Sequence, residues 1–193
     1  MNQLEWATLN RREVGGIEVQ LRHFTLSEPF NFYDSDGRAT LGFILPPYPS
    51  KGAVQYNELG SSFHDIGRLH LTPPYAHCRF SGSNDIFRSL SCLFDASLFQ
   101  NVTRIAGPCN PTQLMSSIDI GGRSGGTLDV IMRRMAQEVE APGFAPDTMI
   151  EGLGLAALAE LAQHLNGQPK DESPARGRLS MAQIGLLHDY VND

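Results

Sequence analysis

The sequence lacks the features of several large protein classes. It has three cysteines, an odd number without the spacing of a metal site or a disulfide framework, which predicts a reduced, cytoplasmic protein. Its longest apolar stretch, 153–165, is interrupted by Glu160, Gln163 and His164, so no segment is predicted to span a bilayer. The N-terminus has no basic-then-apolar pattern, so a signal peptide is not expected.

Basic charge is also scarce. The 193 residues carry 15 Lys and Arg against 21 Asp and Glu, a formal net charge of −6, and no basic run exceeds two residues. Affinity for duplex DNA comes largely from the neutralisation of phosphates by Lys and Arg. The chain by itself is therefore a poor candidate to hold DNA, although its length is sufficient for one domain with a buried core.

The N-terminal half has the periodicity of strands. Ile17, Val19 and Leu21 alternate with polar residues, which is the pattern of a strand with one buried face. Further strands are predicted at 41–45, 54–59, 66–71 and 87–94, and turn residues such as Pro46-Pro47 separate them. Short strands with frequent turns favour a sandwich or a barrel.

From Asp95 onward the periodicity becomes helical. A short helix is predicted over 96–105 with Asp95 as its N-cap, and 107–126 is expected to be irregular. Two longer helices follow, one carrying 128–139 and one running from a capping-box pattern at 148–151 to Leu165. The second of these is apolar around much of its circumference, so it needs two packing partners.

Beyond residue 165 the composition changes again. Residues 166–178 are polar and contain proline, as linkers do. A second capping-box pattern at 180–183 opens an amphipathic helix. We interpret 1–165 as one domain, with strands at about 1–94 and helices at about 95–165, followed by a linker over 166–178 and the start of a truncated second domain over 179–193.

Three stretches carry a family resemblance. They are 67–74 (GRLHLTPP), 135–165 and 176–184 (RGRLSMAQI), and they resemble the N-terminal half of AraC-type transcription regulators. The resemblance implies an α+β fold, in which a cupin-like β-barrel or sandwich is followed by two or three α-helices. It also implies a small-molecule effector, a homodimer and DNA binding through a C-terminal domain, of which 179–193 would be the first helix and the rest is absent from this chain.

A sensor barrel needs a concave pocket lined by apolar and aromatic side chains with a few fixed polar groups. We predict ligand-binding residues from side-chain type and strand position: Phe43, Tyr56, His70, Tyr75, His77 and Arg79. Arg79 in particular can grip a carboxylate through a forked pair of hydrogen bonds. The alternative is that each of these is an ordinary core or surface residue.

The long helices predict a dimer face. A regulator that reads a repeated DNA site as a dimer needs a two-fold interface. We place there the apolar helix residues Leu128, Met132, Met135, Leu153, Ala157, Leu161 and Leu165. The alternative is that the helices pack on their own barrel, and both can hold.

Catalytic and metal sites have little support in the sequence. His64, His70 and His77 are six and seven residues apart, without the His-x-His pattern of metal-binding cupins. No catalytic residue, metal ligand or cofactor is therefore predicted. The alternative from another class is a small cupin-type enzyme with a metal held by His70, His77 and an acidic partner. A third possibility is a ligand-free dimerisation module whose barrel is filled by its own side chains.

Overall fold

The computed structural model describes residues 6–25, 30–34, 37–49, 51–83, 86–120 and 126–167. The strands in these residues are β1 (Trp6–Val14), β2 (Ile17–Thr25), β3 (Phe30–Asp34), β4 (Ala39–Leu45), β5 (Gly52–Tyr56), β6 (His64–Asp65), β7 (Leu69–Thr72), β8 (Cys78–Gly82) and β9 (Ile86–Phe94). The helices are α1 (Ala96–Thr103), α2 (Pro111–Ile118), α3 (Thr127–Glu140) and α4 (Pro146–Leu165).

Strands β2 to β9 form a nested set of antiparallel pairs. β2 pairs with β9, β3 with β8, β4 with β7 and β5 with β6, so the chain runs as one long double-stranded ribbon. Rolling of this ribbon brings β4 beside β9 and β5 beside β8. The result is two sheets, with strand orders β1-β2-β9-β4-β7 and β3-β8-β5-β6. This jelly-roll arrangement is the one that cupins have, and it confirms the predicted class of a cupin-like β-sandwich followed by helices.

Helices α3 and α4 cover the outer face of the five-stranded sheet. α4 approaches β2 so closely that a Cβ on Gly154 would lie 2.6 Å from Cδ1 of Ile17. Asn10 of β1 donates a hydrogen bond from Nδ2 to the carbonyl oxygen of Val139 in α3 at 2.7 Å. The described residues therefore form three layers: helices, five-stranded sheet and four-stranded sheet.

A hydrophobic core lies between the helices and the five-stranded sheet. Strand side chains alternate between the two faces of a sheet, and the apolar set faces the helices: Ile17, Val19, Leu21, Leu41, Phe43, Leu69 and Leu71. The helices contribute Met132, Met135, Ile150, Ala157, Leu158 and Leu161. Each of these thirteen residues is at most 2% exposed.

Helix α2 is one of the elements that the sequence pattern does not predict, as are strands β1, β3 and β6. It lies within 107–126, which was expected to be irregular, and it raises the number of described helices to four instead of the two or three expected. Its N-cap Asn110 accepts a hydrogen bond from the backbone of Gln113, whose side chain accepts one from the backbone of Asn110. This capping box, followed by Pro111 at the first helical position, is readable in the sequence.

Some predicted boundaries also differ. The strand predicted at 66–71 begins only at Leu69, and the strand predicted at 54–59 ends at Tyr56, where a short 3₁₀ helix follows. α4 begins at Pro146, so Thr148 lies inside its first turn and is not its cap. Proline is favoured at the first helical position because its missing N–H would have no partner there.

The C-terminal predictions fall largely outside the described residues. α4 ends at Leu165 as predicted, and Asn166 is its C-cap. The predicted linker from residue 168, the predicted helix over 179–193 and residues 121–125 of the irregular connection all lie outside the part that the structure describes.

Candidate functional site

One row of residues crosses the inner face of the five-stranded sheet, which is turned toward the four-stranded sheet. The strand register aligns one residue from each of the five strands. These residues are Arg11, Gln20, Ser91, Gly42 and His70. The ring of His70 lies 6.1 Å from the ring of Phe80 in β8, centroid to centroid, so the row faces the second sheet.

The inner face of this sheet carries several polar residues, together with the buried apolar Leu93 and Ile44 in the same rows. We define the polar inner face as the set of residues Glu18, Gln20, Arg22, Gly42, His70, Ser89 and Ser91, which the register places in three neighbouring rows. Glu18 and Ser91 are each 5% exposed, although burial of a polar group is costly unless it finds a partner. The sheet thus turns its apolar side to the helices and encloses its polar side.

Glu18 is the centre of a charged network at one end of this face. Its carboxylate accepts hydrogen bonds from Nη1 of Arg38 at 2.6 Å and from the side-chain amide of Gln20, and it pairs with Nε of Arg11 at 2.5 Å. Arg22 Nε donates in turn to Oε1 of Gln20 at 2.7 Å. Burial by itself raises the pKa of Glu18, but the hydrogen bonds from Gln20, Arg38 and Arg11 outweigh it and hold the pKa below its usual value. The carboxylate is therefore charged at neutral pH.

His70 occupies the other end of the row. Its Nδ1 lies 3.3 Å from the carbonyl oxygen of Gly67, and because a carbonyl only accepts, the neutral ring carries its proton on Nδ1 and leaves Nε2 as an acceptor. Burial lowers the pKa of His70 to about 4, against a smaller opposing effect of the Gly67 contact. The ring extends over Gly42, where a Cβ would lie 2.4 Å from Nε2.

Of the six predicted ligand-binding residues, the structure brings His70 and Tyr56 to the space between the sheets. Tyr56 of β5 is 1% exposed; its hydroxyl donates to the carbonyl oxygen of Leu71 at 2.8 Å and lies 3.4 Å from Oγ of Ser117. Burial raises the pKa of Tyr56. This hydroxyl is already engaged, because it connects β5 with β7 and α2.

Phe43 does not lie with His70. It is the next residue after Gly42 in β4, so its side chain is on the opposite face of the sheet, toward the helices. The guanidinium carbons of Arg68 and Arg133 lie 5.4 and 5.6 Å from its ring centroid. Both arginines pair with the buried carboxylate of Asp129 in α3.

Tyr75, His77 and Arg79 also lie away from the polar inner face. Tyr75 and His77 belong to the connection between β7 and β8; Tyr75 is 48% exposed, and Nδ1 of His77 is 3.8 Å from a carboxylate oxygen of Glu58. Arg79 alternates with the inward-facing Phe80, and its guanidinium lies 5.7 Å from the ring centroid of the exposed Phe63. The expected cluster of these residues around one ligand is thus not formed.

The seven residues predicted as a dimer face are mostly covered within the chain. Leu153 is partly exposed, and the other six are at most 7% exposed: Leu128, Met132, Met135, Ala157, Leu161 and Leu165. These side chains pack in the core that the helices share with the sheet. These residues therefore follow the alternative stated from the sequence, in which the helices pack on their own barrel.

Sequence reasoning missed the polar inner face. Glu18 and Gln20 alternate with Ile17 and Val19, and this pattern predicts solvent on the polar side. In the structure both faces of β2 are covered, because the five-stranded sheet is the middle of three layers. A usable signal was Ser89 and Ser91, which alternate in an otherwise apolar segment of the sequence.

The described residues offer no ready metal site. Across residues 6–167, apart from the undescribed gaps, no three His, Cys, Asp or Glu side chains are grouped as metal ligands. His70 is in the space between the sheets, whereas His77 has a side chain 65% exposed beside Glu58. The donor set of the metal-enzyme alternative is therefore not assembled. In addition, none of the described helices is both long and apolar enough to cross a membrane.

Comparison with known proteins finds similarity to cupins of solved structure. No protein-family model matches the sequence, and no curated protein is significantly similar to it. A cupin domain from Bordetella pertussis is 11% identical with a TM-score of 0.38, over 50% of this chain and 99% of that chain. A cupin superfamily protein from Desulfitobacterium hafniense is 14% identical with a TM-score of 0.36, over 49% of this chain and 79% of that chain. At these scores the similarities carry no argument about function. The jelly roll rests on the strand order of this chain.

Proposed function

We propose that this chain is the ligand-sensing and dimerisation part of an AraC-type DNA-binding transcription regulator. Its effector binds between the two sheets, against the polar inner face. The observation that carries this proposal is the distribution of polarity across the five-stranded sheet, which buries Glu18 and Ser91 and turns His70 toward the four-stranded sheet, while its apolar side faces the helices. Sites for small molecules combine an enclosed space with a few placed polar groups. The resemblance of 67–74, 135–165 and 176–184 supplies the regulator class.

The effector would act by shifting populations. A small molecule that binds one arrangement of the dimer and linker better than another raises the population of that arrangement. The same sheet carries the polar residues on one face and packs against α3 and α4 on the other, so occupancy of the inner face can bias the helices.

The remaining parts of the proposal concern partners and location. We propose a homodimer, no enzymatic activity, and DNA binding through a C-terminal domain outside this sequence. The three cysteines are free and buried, which suits the reducing cytoplasm.

Thermal unfolding against a library of small organic molecules, together with native mass spectrometry, tests this function. We expect a dimer and at least one compound that raises Tm, because a ligand at a hundred times its Kd stabilises the folded state by about 2.7 kcal/mol. Ser91→Val alters the polar inner face and should reduce the rise in Tm that the compound causes. Val130→Ser, at a position of α3 that is 65% exposed, should leave it unchanged.

Two results would contradict the proposal. The first is a monomer that no compound stabilises. The second is a stoichiometric transition metal in the purified chain, which would favour the metal-dependent enzyme.

A further inference from the structure

The side of helix α4 that is turned away from the sheet is apolar although it is exposed. The exposed residues between Gly152 and the end of the helix carry no charge, and we call them the outer stripe: Gly152, Leu155, Ala156, Ala159 and Gln163. The exposed side of a surface helix normally carries charged and polar side chains, and a helix that is apolar all round is normally covered on every side. The outer stripe therefore indicates a packing partner.

The acidic residues of α4 lie beside the outer stripe. Asp147 accepts a hydrogen bond from Nη1 of Arg12 in β1 at 3.2 Å. Glu151 reaches the turn between β1 and β2, where a Cβ on Gly15 would lie 2.8 Å from its Oε1. Glu160 is half-buried next to the C-terminal part of the stripe. Acidic groups thus border the stripe but do not interrupt it.

The sequence that follows α4 has a complementary pattern. The helix predicted to begin at the capping-box pattern 180–183 lies outside the described residues, and it carries Ile184, Leu187 and Val191 on one side. Helices shorter than about 12–15 residues are marginal in water on their own. The apolar side of this segment therefore needs a surface on which to pack.

The connection to this segment is long enough to reverse the direction of the chain. α4 ends at Leu165, and Gly167 has a φ of +63°, the left-handed conformation with which many helices end. The connection over 166–179 spans up to about 45 Å when extended, whereas α4 is about 30 Å long. Such a tether holds the segment near the stripe at an effective concentration of about a millimolar, which favours it over a second copy.

The charges before the segment are consistent with an antiparallel arrangement. Arg176 and Arg178 immediately precede it, so antiparallel docking would place them at the C-terminal end of α4. Cations are favourable at this end of a helix because of its unpaired carbonyl groups. The carboxylate of Glu160 lies in the same part of α4.

We infer that residues 180–191 dock antiparallel on the outer stripe of α4 in the same chain. The apolar positions over 184–191 extend over the same length of helix as 152–159 of the stripe, and the small residues of the stripe let larger side chains approach closely. The contact itself does not depend on an effector. Within the proposed function, on which this last step rests, it would join the DNA-binding domain to the helices that pack on the sensor sheet.

Hydrogen exchange of the full chain, followed by mass spectrometry, tests this inference. We expect the backbone amides of 180–191 to exchange at least about tenfold more slowly than those of an unstructured peptide. Ala156→Glu should remove this protection, because it brings an unpaired carboxylate into an apolar contact. The matched control Val130→Glu, at a position of α3 that is 65% exposed, should keep it. Both substituted positions are exposed, so both variants should retain the Tm of the domain.

Three results would overturn the inference. The first is exchange of 180–191 in the wild type at the rate of an unstructured peptide. The second is protection that survives Ala156→Glu. The third is protection that depends on protein concentration, together with a dimer in native mass spectrometry that Ala156→Glu abolishes, which would assign the stripe to a second copy. None of these measurements uses a ligand, so the sensor function stands or falls separately with the rise in Tm.

Discussion

At the scale of single residues, Gly42 and His70 decide how the centre of the inner face is filled. The imidazole takes the space that a side chain at position 42 would occupy. It is confined by the carbonyl oxygen of Gly67 on one side and approached by the ring of Phe80 from the other sheet. The ring therefore has little freedom to give way.

Gly42→Ala should lower the free energy of unfolding by about 1–3 kcal/mol, the usual cost of an added group in a packed interior. The reason is that the new Cβ would lie 2.4 Å from Nε2 of His70. In a His70→Ala background the same substitution should cost much less, so a double-mutant cycle from denaturant unfolding should show strong coupling. Additive costs would mean that the ring does not occupy this space.

The lowered pKa of His70 predicts how the free energy of unfolding depends on pH. The folded chain holds this ring neutral down to about pH 4, whereas the unfolded chain protonates it near 6.5. Stability linked to His70 is therefore fully present above 6.5 and is lost as the pH falls toward 4, because the unfolded state binds the extra proton. Unfolding free energies measured across this window should fall more steeply in the wild type than in His70→Gln. Equal slopes would show that the folded ring titrates normally.

At the scale of elements, α2 and the segment after it close an exposed sheet edge. The backbone N–H of Gly67 donates to the carbonyl oxygen of Ile118, and that of Ile120 donates to Leu69, so the chain following α2 runs along β7. An uncovered edge strand invites pairing with other chains. The eight-residue helix α2 thus positions the segment that covers the edge strand β7.

The contribution of the α2 capping box to the free energy of unfolding should be measurable by substituting Asn110. Asn110→Ala removes the acceptor for the Gln113 backbone and should cost about 0.5–2 kcal/mol of stability. Asn110→Ser keeps a capping oxygen and should cost only a fraction of that. Denaturant unfolding of both variants checks this, and equal losses would rule out the cap as the cause.

Element boundaries depend on more than local pattern. The 17–21 alternation and the helical spacing at 128–139 are local signals, and both elements form where they predict. The break before Leu69 is a tertiary effect, because Gly67 bonds to Ile118 and the Arg68 guanidinium bonds to Asp129 in α3. Neither partner is visible from the spacing of residues 66–71.

At the scale of the whole molecule, the five-stranded sheet is the middle layer and has two different environments. The helices cover its apolar face, and the four-stranded sheet covers its polar face. This order explains why the predicted dimer residues are buried: a monomer already needs them to cover the sheet. A dimer of this chain would use surface residues other than these.

Leu161→Ala should destabilise the fold by about 2–5 kcal/mol, the range for truncating a core leucine, because this residue is 0% exposed. Leu155→Ala is a matched control on the same helix, where the leucine is 41% exposed, and it should change stability by no more than about 0.5 kcal/mol. Denaturant unfolding reports stability, and native mass spectrometry should show the same subunit number for Leu161→Ala as for the wild type. A variant that keeps its stability but changes its subunit number would place Leu161 in an interface.

The sequence by itself determined the change from strands to helices near Asp95, the strand identity of 17–22 and 87–94, and the long helices, because periods of two and 3.6 residues are local properties. It also pointed to His70. Only the tertiary structure decided which polar residues are enclosed. Strand pairing is non-local, so Gln20, Ser91, Gly42 and His70, from four separate segments, meet only in the folded register. The layer order then decides whether the polar face of β2 meets water or a second sheet, since the same alternation is compatible with both.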